Sequence, residues 1–371
     1  MNLCFRYYIE CSRQEWQAAV LAIAGSTRVH SWDYINYMSK HSPQIRNLSF
    51  LVYDIKVPLA VVSLGLYMPK MPPPGVSFSF AGSPCGMPAF ANMSQATLRK
   101  VGRRVFQMLD SIAETEGVTH SFFTVPPTTG NDAEQGHIGC KNLFYPSRFG
   151  YLAEVQNSTV WELQTTEAEI FCTISKYQRK HIRQSEKAGL RIVAFSGTDA
   201  AAEIIEGKIE ELRLLHLRVA GRKTREDATW QAMCSACVNG VATLFISYRG
   251  KTPVSYLFCG EYGPTAYGWT QVNVPEYESE LSPRHHLEWQ AALHYKARDF
   301  IFYEIGTVPY EPLPSGPPSK KEISIGLFKE RYGAPLYPHV FWRKFYDLAL
   351  QEQYLKSYQK NLRDFIWPEC R

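Results

Sequence analysis

Apolar positions along this chain follow two rhythms, and the rhythms come in the same order twice. From Leu48 to Met68, LSFLVYDIKVPLAVVSLGLYM holds two β-rich runs around a short polar break. The next stretch, SQATLRKVGRRVFQMLDSIAETEG (94–117), spaces its apolar residues by three and four and predicts a helix, after which VTHSFFTVPP returns to strand. In the second half VATLFISYRGKTPVSYLFCGEYGPTAYGW (241–269) predicts strands linked at YRGKTPV, SPRHHLEWQAALHYKAR (282–298) a helix, and DFIFYEIGTVPY a closing strand. Strand, hairpin, strand, helix, strand, built twice, predicts an α/β protein of two similar domains, each a mixed β-sheet flanked by helices. The boundary falls near 158, giving a first domain over 1–158, a second over 159–340 and a tail from 341 to 371. That tail reads as helices with aromatic faces from Phe341 to Trp367. Residues 199–219 predict a long helix broken by GRKTRED, and PYEPLPSGPPSKKE (309–322) a loop.

Composition fits an ordinary folded chain. Of 371 residues 45% are hydrophobic and 13% aromatic, which argues against long disordered stretches. No apolar run approaches the roughly 18 residues of a membrane span, and MNLCFRYYIE lacks a signal-peptide core, so a cytoplasmic protein with no integral membrane segment is expected. The nine cysteines are scattered among apolar neighbours and read as reduced thiols. The single CxxC, Cys234 and Cys237, lies in a predicted helix without a second pair. A net charge of +5 does not by itself mark a nucleic-acid binder.

Local charge is more informative. SKYQRKHIRQSEKAGL (175–190) carries Lys176, Arg179, Lys180, Arg183 and Lys187 with one acid, Glu186. At about 100° per residue the five cations share an arc of roughly 100°. Phe171, Ile174, Tyr177 and Ile182 cluster opposite, so the segment predicts an amphipathic helix ended by Gly189. Gathered charge repels itself, and without acids at four-residue spacing such a face suits an anionic ligand; a merely solvated face is the alternative.

This run, preceded by STVWELQTTEAEIFCTI, resembles the K-x-x-R-x-x-I-R-x-(A/S)-E-K-x-G pattern of the Fem-type peptidyltransferases and their relatives in the GNAT acyltransferase superfamily. LLHLRVAGRKTREDATW, the strand-helix-strand of 243–306 and ISIGLFKERYGAPLYP (323–338) follow in the family's order. The resemblance covers residues 160–340 and reaches the first half only in general shape. It implies two tandem GNAT-like domains and amide formation, with an amine attacking an activated carboxyl donor. It further implies aminoacyl-tRNA as that donor and, as acceptor, a cell-envelope precursor, another small molecule or a peptide. No separate cofactor is implied.

Such a reaction needs a deprotonated amine, aligned reactants and a stabilised oxyanion, without a protein nucleophile. Lys329 falls on the family's Phe-Lys pair and is expected to neutralise phosphate or oxyanion charge, with Phe328 shaping the site beside it. Arg183 occupies the motif's central arginine and suits a two-pronged phosphate contact, supported by Arg179 and Lys176. Arg331 is expected on the same side of a strand as Lys329, although a surface salt bridge explains it equally. Glu304, in FYEIG, stands where the family often carries Asp and is a candidate base or amine-orienting group, or else a structural hydrogen-bond partner. SPRHHLEW opens a helix with Ser282 as expected N-cap, so Arg284, His285 and His286 are candidates to hold a donor phosphate. With Glu288 the two histidines do not have the spacing of three metal ligands on one helical face.

Neither half carries the glycine-rich Q/R-x-x-G-x-G/A loop with which coenzyme A-dependent GNAT domains wrap pyrophosphate. The nearest approach, Arg99 to Arg104, lies in a predicted helix. That favours aminoacyl-tRNA as donor. Two alternatives stay open: an acyl-coenzyme A-dependent N-acyltransferase acting on an amino sugar or small amine, and a non-catalytic nucleic-acid or anion-binding module. SFAGSPCGMPAF (79–90) supplies turns able to line an acceptor cleft, as ordinary loops also would.

Overall fold

A computed structural model describes residues 3–68, 75–128, 145–308 and 318–366. Fifteen strands form one mixed sheet. In the first half these are β1 (Leu3–Tyr7), β2 (Ile45–Asn47), β3 (Phe50–Asp54), β4 (Val57–Ser63), β5 (Gly65–Tyr67), β6 (Val76–Phe78), β7 (Cys85–Phe90) and β8 (Val118–Val125). The second half supplies β9 (Leu152–Glu162), β10 (Arg191–Phe195), β11 (Ala242–Arg249), β12 (Thr252–Tyr262), β13 (Thr265–Asn273), β14 (Phe302–Val308) and β15 (Leu336–Phe345). The main order is β1-β3-β4-β7-β8-β15-β9-β14-β13-β12-β11-β10, with β2, β5 and β6 as a side branch joined to β8.

The repeat seen in the sequence is a repeat of ladders. β3, β4 and β7 run antiparallel, and β7 then pairs parallel with β8 after the helix α3 (Gln95–Glu116). β11, β12 and β13 do the same, and β13 pairs parallel with β14 after α9 (Pro283–Ala297). A parallel pair needs a crossover, and in both halves the amphipathic helix supplies it. Ser94 caps α3 at its start, and Gly117, at φ +64, ends it. Leu98, Val101, Val105, Phe106 and Leu109 face the core at three- and four-residue spacing.

Four further helices precede α9 in the second half: α4 (Glu167–Thr173), α5 (Lys176–Lys187), α6 (Ala202–Ala220) and α7 (Asp227–Val238), followed by the short α8 (Pro275–Leu281). The first half adds α1 (Arg13–Ala22) and α2 (Trp32–Ser39), and the C-terminal side adds α10 (Lys320–Glu330) and α11 (Leu348–Ile366). Around the second-half core, Trp161 of β9 packs against Tyr303 of β14 at 6.1 Å and Tyr332 at 5.3 Å between ring centroids. Leu287, Ala291, Ala292 and Tyr295 of α9 cover that cluster.

Three expectations change. The basic helix is two helices: Ile174 leaves helical geometry, and the Ser175 hydroxyl accepts from Gln178 N to start α5 afresh. Residues 341–345 of the expected helical tail are strand, because β15 lies between β8 and β9 and is covered on both sides. Val340, Phe341 and Trp342 are consecutive and all buried, so the stretch lacks the alternation that separates strand from helix. The loop read over 309–322 ends early, since Ser319 caps α10 in a reciprocal bond with Glu322; residues 309–317 and Trp367 lie outside the described residues.

Candidate active site

β13 and β14 stay paired only briefly. Thr265, Ala266 and Tyr267 lie opposite Phe302, Tyr303 and Glu304, and then the strands part. β13 continues beside β12 to Asn273, while the ladder between β14 and β9 shifts register from Glu304 to Gly306, skipping Ile305. The parting leaves an opening at the carboxyl ends of two parallel strands, where α/β sheets expose backbone and side chains to a ligand.

Four charged side chains converge there. Glu304 is 2% exposed and forms a two-pronged ion pair with Arg28 from the first half. Arg28 also lies 4.6 Å from the centroid of the Tyr267 ring. Burial alone would raise the Glu304 carboxyl, but the Arg28 charge overrides it and holds the group below the usual carboxylate range. Lys329, from the last turn of α10, donates to the Thr307 carbonyl at 2.9 Å. Burial lowers its pKa, opposed by the charges of Glu304 and Glu288. Gly306 lies beneath this ammonium: its φ of +123 favours glycine, and a Cβ there, 2.8 Å from Lys329 Nζ, would displace the ammonium.

Glu288 comes from the second turn of α9 and is 3% exposed. Its Oε1 accepts from the Tyr303 hydroxyl at 2.7 Å. Burial pushes this carboxyl up to about 7, with the Tyr303 bond and the charges of Lys329 and Arg284 opposing the rise. Two carboxylates at one opening are thus set apart. Glu304 stays ionised and is fit to orient a cation, whereas Glu288 is poised to exchange a proton near neutrality.

A second cluster forms where α5, α9 and α10 meet. The Arg284 guanidinium covers the Phe328 ring at 3.9 Å, and its Nε lies 3.5 Å from Glu278 Oε1. His285 stacks on His181 at 4.9 Å and lies 5.2 Å from Phe328. Burial, then the nearby Arg284, His181 and Arg331, push its imidazole down to about 3, so it is neutral. Arg331 lies over the Tyr177 ring at 4.9 Å. It follows α10 as its C-cap residue rather than lying on a strand. Tyr177, expected on the apolar side, is 53% exposed beneath that guanidinium. Ser282 does not cap α9 through its side chain; at φ 47 it ends α8 and begins α9 in one left-handed residue. His286 is buried with its Nδ1 unpartnered.

The basic face points outward. Lys176, Lys180, Arg183 and Lys187 are exposed, and among the described residues none has an acid in salt-bridge contact. Arg179 donates to the Cys172 carbonyl at 3.0 Å, and Arg183 lies 5.5 Å from the Phe171 ring. The opposite face is fixed: Gln178 donates to the Phe328 carbonyl at 3.0 Å and Ser185 to the Leu281 carbonyl at 2.6 Å. Among the described residues no group of three His, Cys, Asp or Glu is placed to hold a metal ion.

Residues 175–311, which include α5, β13, α9 and β14, match the Acetyltransferase (GNAT) domain family. The FemX crystal structure superposes with a TM-score of 0.64 over 95% of this chain and 99% of that one, at 13% identity. The structure of L-PGS from Bacillus licheniformis gives 0.58 over 93% and 96% at 11% identity. A tandem GNAT protein from the clavulanic acid biosynthesis pathway gives 0.51 over 93% and 98% at 12% identity. Residues 175–311 are thus similar to a GNAT acetyltransferase domain, and the described residues take a FemX-like fold. No curated protein sequence matches this chain.

The structure brings Lys329 and Glu304 to one opening and Phe328, Arg284, His285 and Arg331 to the neighbouring cluster; of these Lys329, Phe328 and Arg331 lie beyond the matched residues. Lys176, Arg179 and Arg183 stand on the outer face of α5. Sequence reasoning missed Arg28 and Tyr303, and weighed Glu288 only as a metal ligand. One signal was present: Glu288 lies three and four residues before Ala291 and Ala292, an acid on an otherwise apolar helix face.

Proposed function

We propose that this chain forms amide bonds by passing an aminoacyl group from tRNA to an amine, with the β13–β14 opening as the reaction centre. The observation that carries the donor choice is the approach to α9. A diphosphate is wrapped by backbone amides free of side chains. Here β13 runs into α9 through α8, a glycine-free turn of helix bearing Glu276, Glu278 and Glu280. That connection offers no side-chain-free amides to wrap a diphosphate, its three carboxylates being paired with Arg218, Arg284 and Arg249, while the unpaired cations of α5 offer a surface to a polyanion. The likeness to FemX and to L-PGS supports the same reading.

In this reading Lys329 faces the charge that develops on the carbonyl oxygen, in a buried setting where that interaction is strong. Arg284, Phe328 and His285 hold the end of the donor, and Glu304, fixed by Arg28, orients the acceptor. The acceptor is a small amine or a cell-envelope precursor bearing one. Among the described residues no helix is long and apolar enough to cross a membrane.

The acyl-coenzyme A alternative is favoured by one finding, the match to an acetyltransferase family. Binding to total aminoacyl-tRNA at about 0.15 M salt and above, with coenzyme A and acetyl-coenzyme A as competitors, separates the two. Saturable tRNA binding indifferent to coenzyme A supports the proposal. Tight coenzyme A binding with only salt-labile tRNA association overturns it.

A further inference from the structure

The first half repeats the parting of two parallel strands, and there the gap is filled. β7 and β8 are paired only at Cys85 and Gly86, opposite Phe123 and Thr124, before they separate as β13 and β14 do. The β4–β7 ladder shifts register between Val61 and Ser63, as the β12–β13 ladder does between Phe258 and Cys259. Into this first-half gap comes the 3₁₀ turn Arg28–His30. Val29 and His30 are buried there, and a Cβ on Gly86 would stand 2.8 Å from Val29 Cγ2 and 2.9 Å from His30 Nε2. Both ring nitrogens of His30 are engaged. Nδ1 accepts from the Thr27 amide at 3.1 Å, so Nε2 carries the hydrogen that the Met87 carbonyl accepts at 2.8 Å. Met87 is the first residue of β7 beyond the paired segment. Burial pushes this imidazole down to about 4, which keeps it neutral.

The same turn serves the other half. Arg28, two residues before His30, makes the two-pronged ion pair with Glu304 and lies over the Tyr267 ring. A long guanidinium side chain has many rotamers, so its aim depends on how firmly the backbone beneath it is held. Trp16 Nε1 donates to the His30 carbonyl at 2.8 Å, and the Ser31 hydroxyl donates to the Arg28 carbonyl at 2.8 Å. The His30 ring alone fastens the turn to β7. We infer that His30 is a positioning residue for the reaction centre: seated in the first half's strand gap, it holds the turn from which Arg28 reaches Glu304. The inference rests on the acyl-transfer reading for the role of Glu304 but not for its test. The first half's gap is then a socket for the second half's arginine, and removing the ring leaves a buried carbonyl and a buried amide without partners.

The test is titration of the Glu304 carboxyl by NMR of the full chain labelled at the glutamate carboxyl carbon, assigned by loss of the signal in Glu304→Gln. Charged and titratable groups facing Glu304 are Arg28 and Tyr34 from the first half, Tyr267 from β13, Lys329 from α10 and His339 from β15. His30→Leu occupies the gap but makes neither hydrogen bond. With Arg28 loosened, the buried carboxyl should titrate about one pH unit or more higher than in the parent chain. His30→Gln, whose amide can still donate to Met87, should stay within about half a pH unit of the parent. Gly86→Ala keeps every polar group of the turn and sets a methyl against Val29 and His30, so it should raise Glu304 as His30→Leu does, and it answers alone if His30→Leu does not fold. Nitrogen-15 NMR of the parent ring should show the Nε2–H form at pH 7. A histidine that only packs would lower the unfolding midpoint of these variants and leave the Glu304 titration of the folded chain unmoved, which overturns the inference. An equal rise in His30→Leu and His30→Gln overturns it too, as does an Nδ1–H or charged ring in the parent. No donor or turnover enters the measurement, so its failure and failure of the acyl-transfer reading are told apart.

Discussion

Arg28→Met tests whether the ion pair beneath the opening is what keeps Glu304 charged. Glu304 is 2% exposed, and among the described residues Arg28 is the only cation in salt-bridge contact with it. With Arg28 gone, the lowest-energy response is to protonate Glu304. A carboxyl of ordinary pKa near 4.3 taken up protonated costs about 1.4 kcal/mol for each pH unit above that value, about 3.7 kcal/mol at pH 7. This agrees with the ~3–5 kcal/mol measured when one partner of a buried pair is removed. The sign of the pH dependence follows. In the parent chain the lowered Glu304 pKa contributes stability present above the unfolded value and lost as pH falls through the folded one. In Arg28→Met the raised carboxyl reverses this, and the deficit grows as pH rises from 4.3. Urea unfolding at two pH values is the assay: a loss of about 3–4 kcal/mol is expected at pH 7 and about 1 kcal/mol at pH 5. Arg28→Met with Glu304→Gln should recover most of the deficit at pH 7, because no charge is then left buried. Equal losses at both pH values, or a loss below about 1 kcal/mol at pH 7, would refute the reasoning.

Three further outcomes are expected. Lys329→Met should lower the rate of transfer by about 100-fold or more while tRNA binding persists, measured by single-turnover kinetics beside a binding isotherm; undiminished transfer would remove Lys329 from the reaction centre. Changing Lys176, Lys180, Arg183 and Lys187 together to Gln should reduce the log–log salt slope of tRNA binding by about 3 to 4 and leave stability nearly unaltered, since among the described residues these exposed charges have no acidic partner to lose. The rate of transfer should rise with pH through about 7 to a plateau as Glu288 ionises, and Glu288→Gln should remove that inflection.

The elements that were legible in the sequence are those whose burial is one-sided. α3 and α9 bury one stripe each, and the YRGKTPV turn joins β11 and β12 where glycine and proline predict it. β15 was not legible because its buried stretch, His339 to Trp342, is short and continuous and shows no alternation. The division of one basic helix into α4 and α5 turned on Ser175, a residue able either to continue a helix or to cap a new one. At the site, Lys329 was singled out through a local motif, and the structure places it beside Thr307 at the opening. Arg28 could not be found this way: it stands 276 positions from Glu304, and no local pattern pairs them. Gly333, in the RYG of the family-like segment, shows what such a motif encodes. It stands at φ +65, and a Cβ there would overlap the Thr173 carbonyl, so α10 can turn back against α4 only with glycine at that point.

The place of β15 also orders events in time. β8 and β9 are neighbours in the chain, yet among the described strands they do not pair with each other; Leu336–Phe345 lies between them, bonded to both. During synthesis from the N-terminus the first ladder, β1 to β8, is complete roughly two hundred residues before the strand that seals it to the second has been made. Until then β8 and β9 each present an open edge, a template for pairing with a neighbouring chain. Arg28 and Glu304 also have no shared interior to be buried in. Elongation speed between residues 162 and 345, and chaperone cover over those two edges, therefore govern how much of this protein reaches its folded form, although the finished sheet carries no trace of the interval.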